Sequence, residues 1–412
     1  LVDIQPRIAS NPAQKLSAAI NKHCLQYRLE NTIPWFLTVQ GGFQNTKVYG
    51  LCISHQYWDY REDTDLRPAK DENGDLIMGE YKGEEVPMGE EVTVIRKDEP
   101  ACDLLEPENF RFDAMCDWRN PAGTSPYIIV LKPMYVGEVL EMMQLTDPKT
   151  GKSAWREYSK EQLLATRRQE YQRTRQAREG RGRIDPADDQ ADDYYTTVWA
   201  HMNIIRVNGT DWVYWTMGTE LILTDPVKLV DDQPWLREGE RPFVVGYSTI
   251  ETHRNYPAGD VEQSSPIQEE INQVANQRLD YVKLVLYKRY FVKRGSQVDL
   301  DSLIRNVPGG GVMMNDPDKD VVTINTPDVT GSSYQEQGVL ASEFDELVGG
   351  FNPQTAKQQS VGGMTMAGAS ANSVQDYGIK IFIETWMEPV LRQLTRLEQM
   401  YETDFVPVSY TH

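Results

Sequence analysis

The sequence has little of what most catalytic and metal chemistry requires. Its 412 residues include four cysteines and five histidines. Cys24, Cys52, Cys102 and Cys116 show no C-x-x-C spacing, and no two histidines stand four apart, so the usual route to a structural zinc site is closed. Free thiols in a reducing compartment are the simplest account of the four. No phosphate loop of the form G-x-x-x-x-G-K-[ST] is present: GGFQNTK at 41–47 has the wrong spacing, and the glycines at 309–311 precede no lysine-bearing helix. A G-x-S-x-G nucleophile elbow is missing as well. No signal-peptide pattern or apolar run of 18 residues occurs, so the sequence predicts neither export by that route nor a membrane span. Basic residues are also scarce, with 42 Lys+Arg against 62 Asp+Glu and a net charge of −20. Proteins that coat nucleic acid present a basic face, so the charge balance argues against a general DNA-coating role; acidity that serves only to keep the protein soluble is the alternative reading of it.

The abundant carboxylates do not add up to a catalytic centre. Pairs such as Glu269-Glu270 and Asp188-Asp189 arise by chance among 62 acids, and adjacency in sequence does not make a dyad. DENGDL at 71–76 has a calcium-like D-x-N-G-D start but lacks the terminal Glu and flanking helices of the twelve-residue loop. Asn73-Gly74 reads instead as a hairpin turn. We therefore assign no catalytic residue, no metal and no cofactor.

In chain order, Asn11 and Pro12 open a helix over 10–30, and a second is expected over 33–43, weakened by Gly41-Gly42. VYGLCISHQYW at 48–58, EVTVIR at 91–96 and YIIVLKPMYV at 127–136 read as strands, with a short helix over 138–144. Ser159 and Gln162 suit a capped helix that runs into an arginine-rich stretch containing Arg167, Arg168, Arg173, Arg175, Arg178, Arg181 and Arg183. This stretch reads as a solvated, salt-bridged face, with a basic arm as the alternative. Two β-rich runs joined by Asn208-Gly209 form a hairpin, and PFVVGYSTIE supplies a further strand.

The chain is organised around 263–294. Ser265 can cap this helix, Pro266 suits its first position, and Gln268 completes a capping-box spacing. Ile267, Ile271, Val274, Ala275, Leu279, Val282, Val285 and Leu286 draw one apolar stripe at three- and four-residue steps. Globular helices average about 11–12 residues, so a helix this long is expected to cross a bundle, a partner or a channel wall. A Gly-, Pro- and Asp-rich insert follows, with β-like runs GVMMN and VVTIN. A second amphipathic helix covers 333–348, an almost uncharged stretch runs to 372, and a last helix over 373–403 is kinked at Pro389. The first helix carries six bases and three acids, and the second carries four acids and no base. If they run antiparallel, the basic end of the first lies near Glu336 and Glu343.

This order of elements resembles the portal (head–tail connector) proteins of tailed bacteriophages, the short-tailed type in particular. The likeness rests on PIQEEINQVANQRLDYVKL, PGGGVMMND, NTPD and ANSVQDYGIKIFIETWMEPVLRQL. It covers 260–403 well and extends more loosely to 12–60 and 91–143. It implies an α+β fold with a mixed wing over 1–260, stem helices at 261–296 and 333–349, and a clip at 297–332. A tunnel loop at 350–372 and a kinked wing helix from 373 to 412 complete it. The likeness further implies a homo-oligomeric ring, usually dodecameric, at a capsid vertex of the virion, assembled in the host cytoplasm. Double-stranded DNA is packaged and ejected through such a ring, and the implied partners are a terminase motor, the major capsid protein, and head–tail adaptor and tail proteins. An acidic wall would then let the DNA slide without sticking.

By the same likeness Ile271, Leu279, Lys283, Glu336, Glu343 and Phe344 belong to the stem. Asp299, Arg305, Asp316, Asp318 and Asp320 belong to the docking surface of the clip. Lys357, Gly362, Gly363, Met364, Thr365, Met366 and Ser370 belong to the tunnel loop. Two other readings stand beside it: a metal-dependent nucleic-acid-processing hydrolase built from scattered acids, and a structural virion protein of another kind.

Overall fold

The computed structural model describes residues 3–68, 78–81, 84–87, 89–145, 153–167, 193–286, 290–305, 310–323, 330–348 and 376–402. They form two units, one of Leu1–Gly259 with Gly378–His412 and one of Asp260–Tyr377. The arginine-rich residues beyond Arg167, the DENGDL turn and the loop at 350–372 lie outside the described residues.

In the first unit α1 (Pro12–Asn31) begins where the Asn11 side chain accepts hydrogen bonds from the backbone of Ala13 and Gln14, at 3.0 and 3.4 Å. Helix α2 (Trp35–Tyr49) runs through Gly41-Gly42 instead of ending near them. A Cβ at Gly41 would stand 3.1 Å from Leu104, and one at Gly42 would stand 3.4 Å from Phe382, so the two glycines admit close packing. The helix stops at Gly50, whose φ of 81° is a left-handed cap, and the following strand therefore starts later than expected.

Strand β1 (Leu51–Pro68) and β4 (Gly89–Leu105) flank β2 (Met78–Tyr81) and β3 (Glu84–Pro87), which pair with each other. Next come β5 (Phe110–Phe112), α3 (Pro121–Thr124), β6 (Tyr127–Tyr135), α4 (Val136–Gln144) and α5 (Lys160–Ala165). Strands β7 (Thr197–Val207), β8 (Thr210–Met217), β9 (Leu221–Ile222) and β10 (Val227–Lys228), helix α6 (Leu229–Asp232) and β11 (Phe243–Tyr247) follow. An antiparallel sheet in the order β10-β8-β7-β6-β5, with β9 on β8, packs beside a three-stranded sheet in the order β11-β1-β4. The expected hairpin forms, with Val207 opposite Thr210 and positive φ at Asn208 and Gly209, as a type I′ turn requires. Ser159 and Gln162 exchange both capping-box hydrogen bonds at the start of α5.

β1 and β4 pair from Ile53–Leu105 out to Pro68–Gly89, with a bulge between Arg61 and Glu62. β11 covers only Leu51–His55 of β1, so most of the pair continues as a two-stranded ribbon.

A last helix, α10 (376–401), closes the core of this unit. Ile383–Met387 forms a π turn just before Pro389, whose missing N–H removes one bond of the regular ladder. Trp386 is fully buried, stacks on Phe382 at 5.0 Å and donates its Nε1–H to Ser54 Oγ at 2.9 Å. Gly246 of β11 makes room for it: a Cβ there would lie 2.2 Å from the Trp386 Cβ. Arg28 of α1 reaches Glu398 at 2.7 Å and Glu402 at 2.6 Å, joining the two ends of the unit. Arg241 is fully buried and forks onto Asp211 at 2.9 and 3.2 Å, while Arg206 holds the same carboxylate from the other side. A smaller apolar cluster gathers Val136, Val139, Trp155, Leu163, Val198 and Met217.

The second unit comprises α7 (Asp260–Leu286), β12 (Tyr290–Val292), α8 (Leu300–Arg305), β13 (Val321–Thr323) and α9 (Thr330–Val348). Four expectations change here. α7 begins at Asp260, so Pro266 sits inside the helix rather than at its start; Asp260 and Glu262 in the first turn favour the earlier beginning. It ends at 286 rather than 294, because Tyr290–Val292 pairs antiparallel with Val321–Thr323. GVMMN is not a strand, whereas α8, which no periodicity announced, is capped by Asp299. α9 starts at Thr330, which leaves Ser333 inside it rather than at its cap.

Candidate assembly surface on the second unit

The second unit has almost no apolar interior of its own. Among its described residues the buried large apolar side chains are Leu303 and Leu340. Leu279, Val282, Leu284 and Val285 of α7 are exposed, as are Tyr334, Val339 and Leu347 of α9. The stripe read from the sequence is therefore divided. Ile271, Val274 and Ala275 lie on the half-buried side of α7, while Leu279 remains 57% exposed. The stripe is wider than one partner helix can cover.

α7 and α9 pack together, and their polar contact centres on Arg278. Its guanidinium lies 4.1 Å from the centre of the Tyr334 ring and donates to Gln337 Oε1 at 2.7 Å. Lys283 instead pairs with Asp280 on its own helix at 3.0 Å. Glu336 and Glu343 are exposed, and among the described residues no ion pair joins the two helices. Within the chain, the contact between them is a cation–π contact and an amide hydrogen bond. Tyr334 and Gln337, three apart on α9, carried the signal that reading for charge alone passed over. Phe344 is half-buried.

Between the helices, Lys293 N–H donates to Asp320 O at 3.0 Å, tying the turn to the small sheet. Asp299 accepts from the Ser302 backbone and hydroxyl at 3.3 and 2.5 Å, and these hydrogen bonds hold its carboxyl below the ordinary aspartate range. Asp316 pairs with Lys319 at 3.2 Å and accepts from the Asp318 N–H at 3.3 Å. Asp320 is buried and accepts from the Asp316 N–H at 3.0 Å, a local role inside the turn. Asp318 and Arg305 are exposed, as are the apolar Phe291, Ile304, Met313 and Val322. Lys357, Gly362, Gly363, Met364, Thr365, Met366 and Ser370 lie outside the described residues.

Among the described residues no group of three or more His, Cys, Asp or Glu is placed to hold a metal ion. No helix among them is long and apolar enough to cross a membrane. No curated protein matches the chain. One family model, described as Phage SU10 portal protein, matches residues 1–409 and so takes in both units. The chain belongs to that family: it is a phage portal protein of the short-tailed type, a structural component of the virion and not an enzyme.

Proposed function

We propose that the chain closes into a homo-oligomeric ring, dodecameric as is usual for portals, with α7 and α9 near the axis. The carrying observation is the second unit's imbalance: Leu303 and Leu340 are buried while Leu279, Val282, Val285 and Val339 face solvent. Exposed apolar area of this extent is a feature of association surfaces. Neighbouring copies would cover it, and a closed cyclic arrangement leaves no copy with an open face.

In this reading 261–296 and 333–349 are the stem and 297–332 is the clip. The clip meets the terminase motor during packaging and the adaptor and tail proteins afterwards. Asp299, Arg305, Asp316 and Asp318, with Met313, are its contact residues, and Asp320 shapes it from within. The loop at 350–372 borders the double-stranded DNA, where Lys357 is its only charge. Net acidity limits ionic adhesion of the passing polymer, because each added cation strengthens a salt-dependent attraction to phosphate. The mixed wing, 1–260 with the kinked helix, faces the major capsid protein, and the ring assembles in the host cytoplasm before it takes its place at the capsid vertex.

Negative-stain imaging down the particle axis tests this. A ring with a central channel is expected; an elongated or open assembly would refute it.

A further inference from the structure

Where the β1–β4 ribbon leaves its sheet, the first unit carries a groove of about 520 Å³. Trp58, Tyr60, Trp235 and Tyr401 line it together with Asp98 and Asp232, and no lysine or arginine is among its lining residues. Trp58 is held in place by its Nε1–H, which donates to Asp98 at 2.6 Å, and by Tyr401, whose ring centre is 5.5 Å away at a tilt of 31°. Gln233 also lines the groove, and its Oε1 is buried without a hydrogen-bond donor. Partial desolvation raises the Asp232 carboxyl above its ordinary range, as expected for a carboxylate that no cation answers.

Two bases of the ribbon are engaged elsewhere. Arg61 and Lys97 both bind Asp59, at 2.8 and 3.1 Å. The ribbon segments 59–68 and 89–99 carry eight acids against four bases. Aromatic faces beside carboxylates form a receptor for a flat cation that brings several N–H donors. A guanidinium fits that description better than an ammonium, which is a compact point charge with three donors. Phosphate would be repelled. Another copy of this chain, at −20, is a poorer match than a partner of basic character.

We propose that this groove captures an arginine side chain presented by an extended segment of a basic partner protein. The guanidinium rests against Trp58 and Tyr401 and donates to Asp98 and Asp232.

The test titrates the full chain, at low salt, with a short alternating Gly-Arg peptide, following intrinsic tryptophan fluorescence. Saturable quenching is expected, with the citrulline version of the peptide binding at least about tenfold more weakly, since it keeps the shape and loses the charge. Asp232→Asn should weaken binding about tenfold and Tyr60→Ala about threefold; both side chains are exposed, so the fold should survive either change. Glu269→Gln removes the same charge in the second unit and should leave binding unchanged. Equal losses for Asp232→Asn and Glu269→Gln would overturn the proposal, because the attraction would then be the diffuse one of an acidic chain. Equal binding of the citrulline peptide, or absence of saturation, would overturn it too. Binding to the single chain but not to the assembled particle would assign the groove to contact between copies and overturn the partner.

Discussion

Leu279→Asp separates assembly from folding. The leucine stands on α7 with 57% of its surface exposed, so the isolated chain gains little from it. Replacing it there should change chain stability by no more than about 0.5 kcal/mol, the usual range for surface substitutions. In a ring the same side chain is covered. Full burial of a leucine is worth about 1.5–3 kcal/mol, so the fraction still available is worth about 1–2 kcal/mol for each subunit. Aspartate forfeits that gain and adds an unpaired carboxylate at the contact, where desolvation costs several kcal/mol. A combined penalty of about 4 kcal/mol weakens each subunit contact about a thousandfold. Leu340→Ala is the complementary variant: it empties a site that is already buried, 7% exposed. It should destabilise the chain itself by about 2–5 kcal/mol. Light scattering and chemical denaturation on the same preparations give both numbers. The reasoning fails if Leu279→Asp assembles like the wild type, or if it lowers chain stability as much as Leu340→Ala does.

The first unit offers two stability predictions, and the proposed channel offers two functional ones. Gly246→Ala pushes a methyl into Trp386, 2.2 Å away, and should cost about 1–3 kcal/mol or more in denaturant titrations. Burial tends to raise the Asp211 carboxyl, but Arg206 and Arg241 outweigh it and hold the group below the ordinary aspartate range. Its contribution is therefore present above that range and lost as pH falls through the lowered value; Asp211→Asn should cost about 3–5 kcal/mol near neutrality and flatten the acid limb of stability against pH. Lysines at Met364, Thr365 and Met366 should reduce the DNA packaged per particle at equal ring assembly, while single alanines there should be nearly silent. Deleting 309–318 should leave rings intact and abolish packaging.

Local chemistry was well written into the chain. Asn11 caps α1, Asn208-Gly209 turns the β7–β8 hairpin, Ser159 and Gln162 cap α5, and Pro389 interrupts α10, each by an interaction confined to a few neighbouring residues. What escaped the sequence was settled at a distance. Gly41-Gly42 stays helical because Leu104 and Phe382 pack on it, and the end of α7 is decided by strands paired across some thirty residues. The length of the β1–β4 ribbon likewise depends on register rather than on alternation. The stem reading located the apolar stripe but not its division into a covered and an open half, because that depends on how wide a face α9 presents. Arg278 escaped for a related reason: its partners are an aromatic ring and an amide, which charge counting does not register.

Native mass spectrometry of the purified protein at micromolar concentration bears most directly on the ring. A single dominant species is expected, its mass an integral multiple of the chain mass and its count consistent with closure, twelve copies as is usual for portals; that species should be lost on Leu279→Asp. A wild-type chain that flies as a monomer, or as an open ladder of sizes without a preferred closed one, would contradict the account.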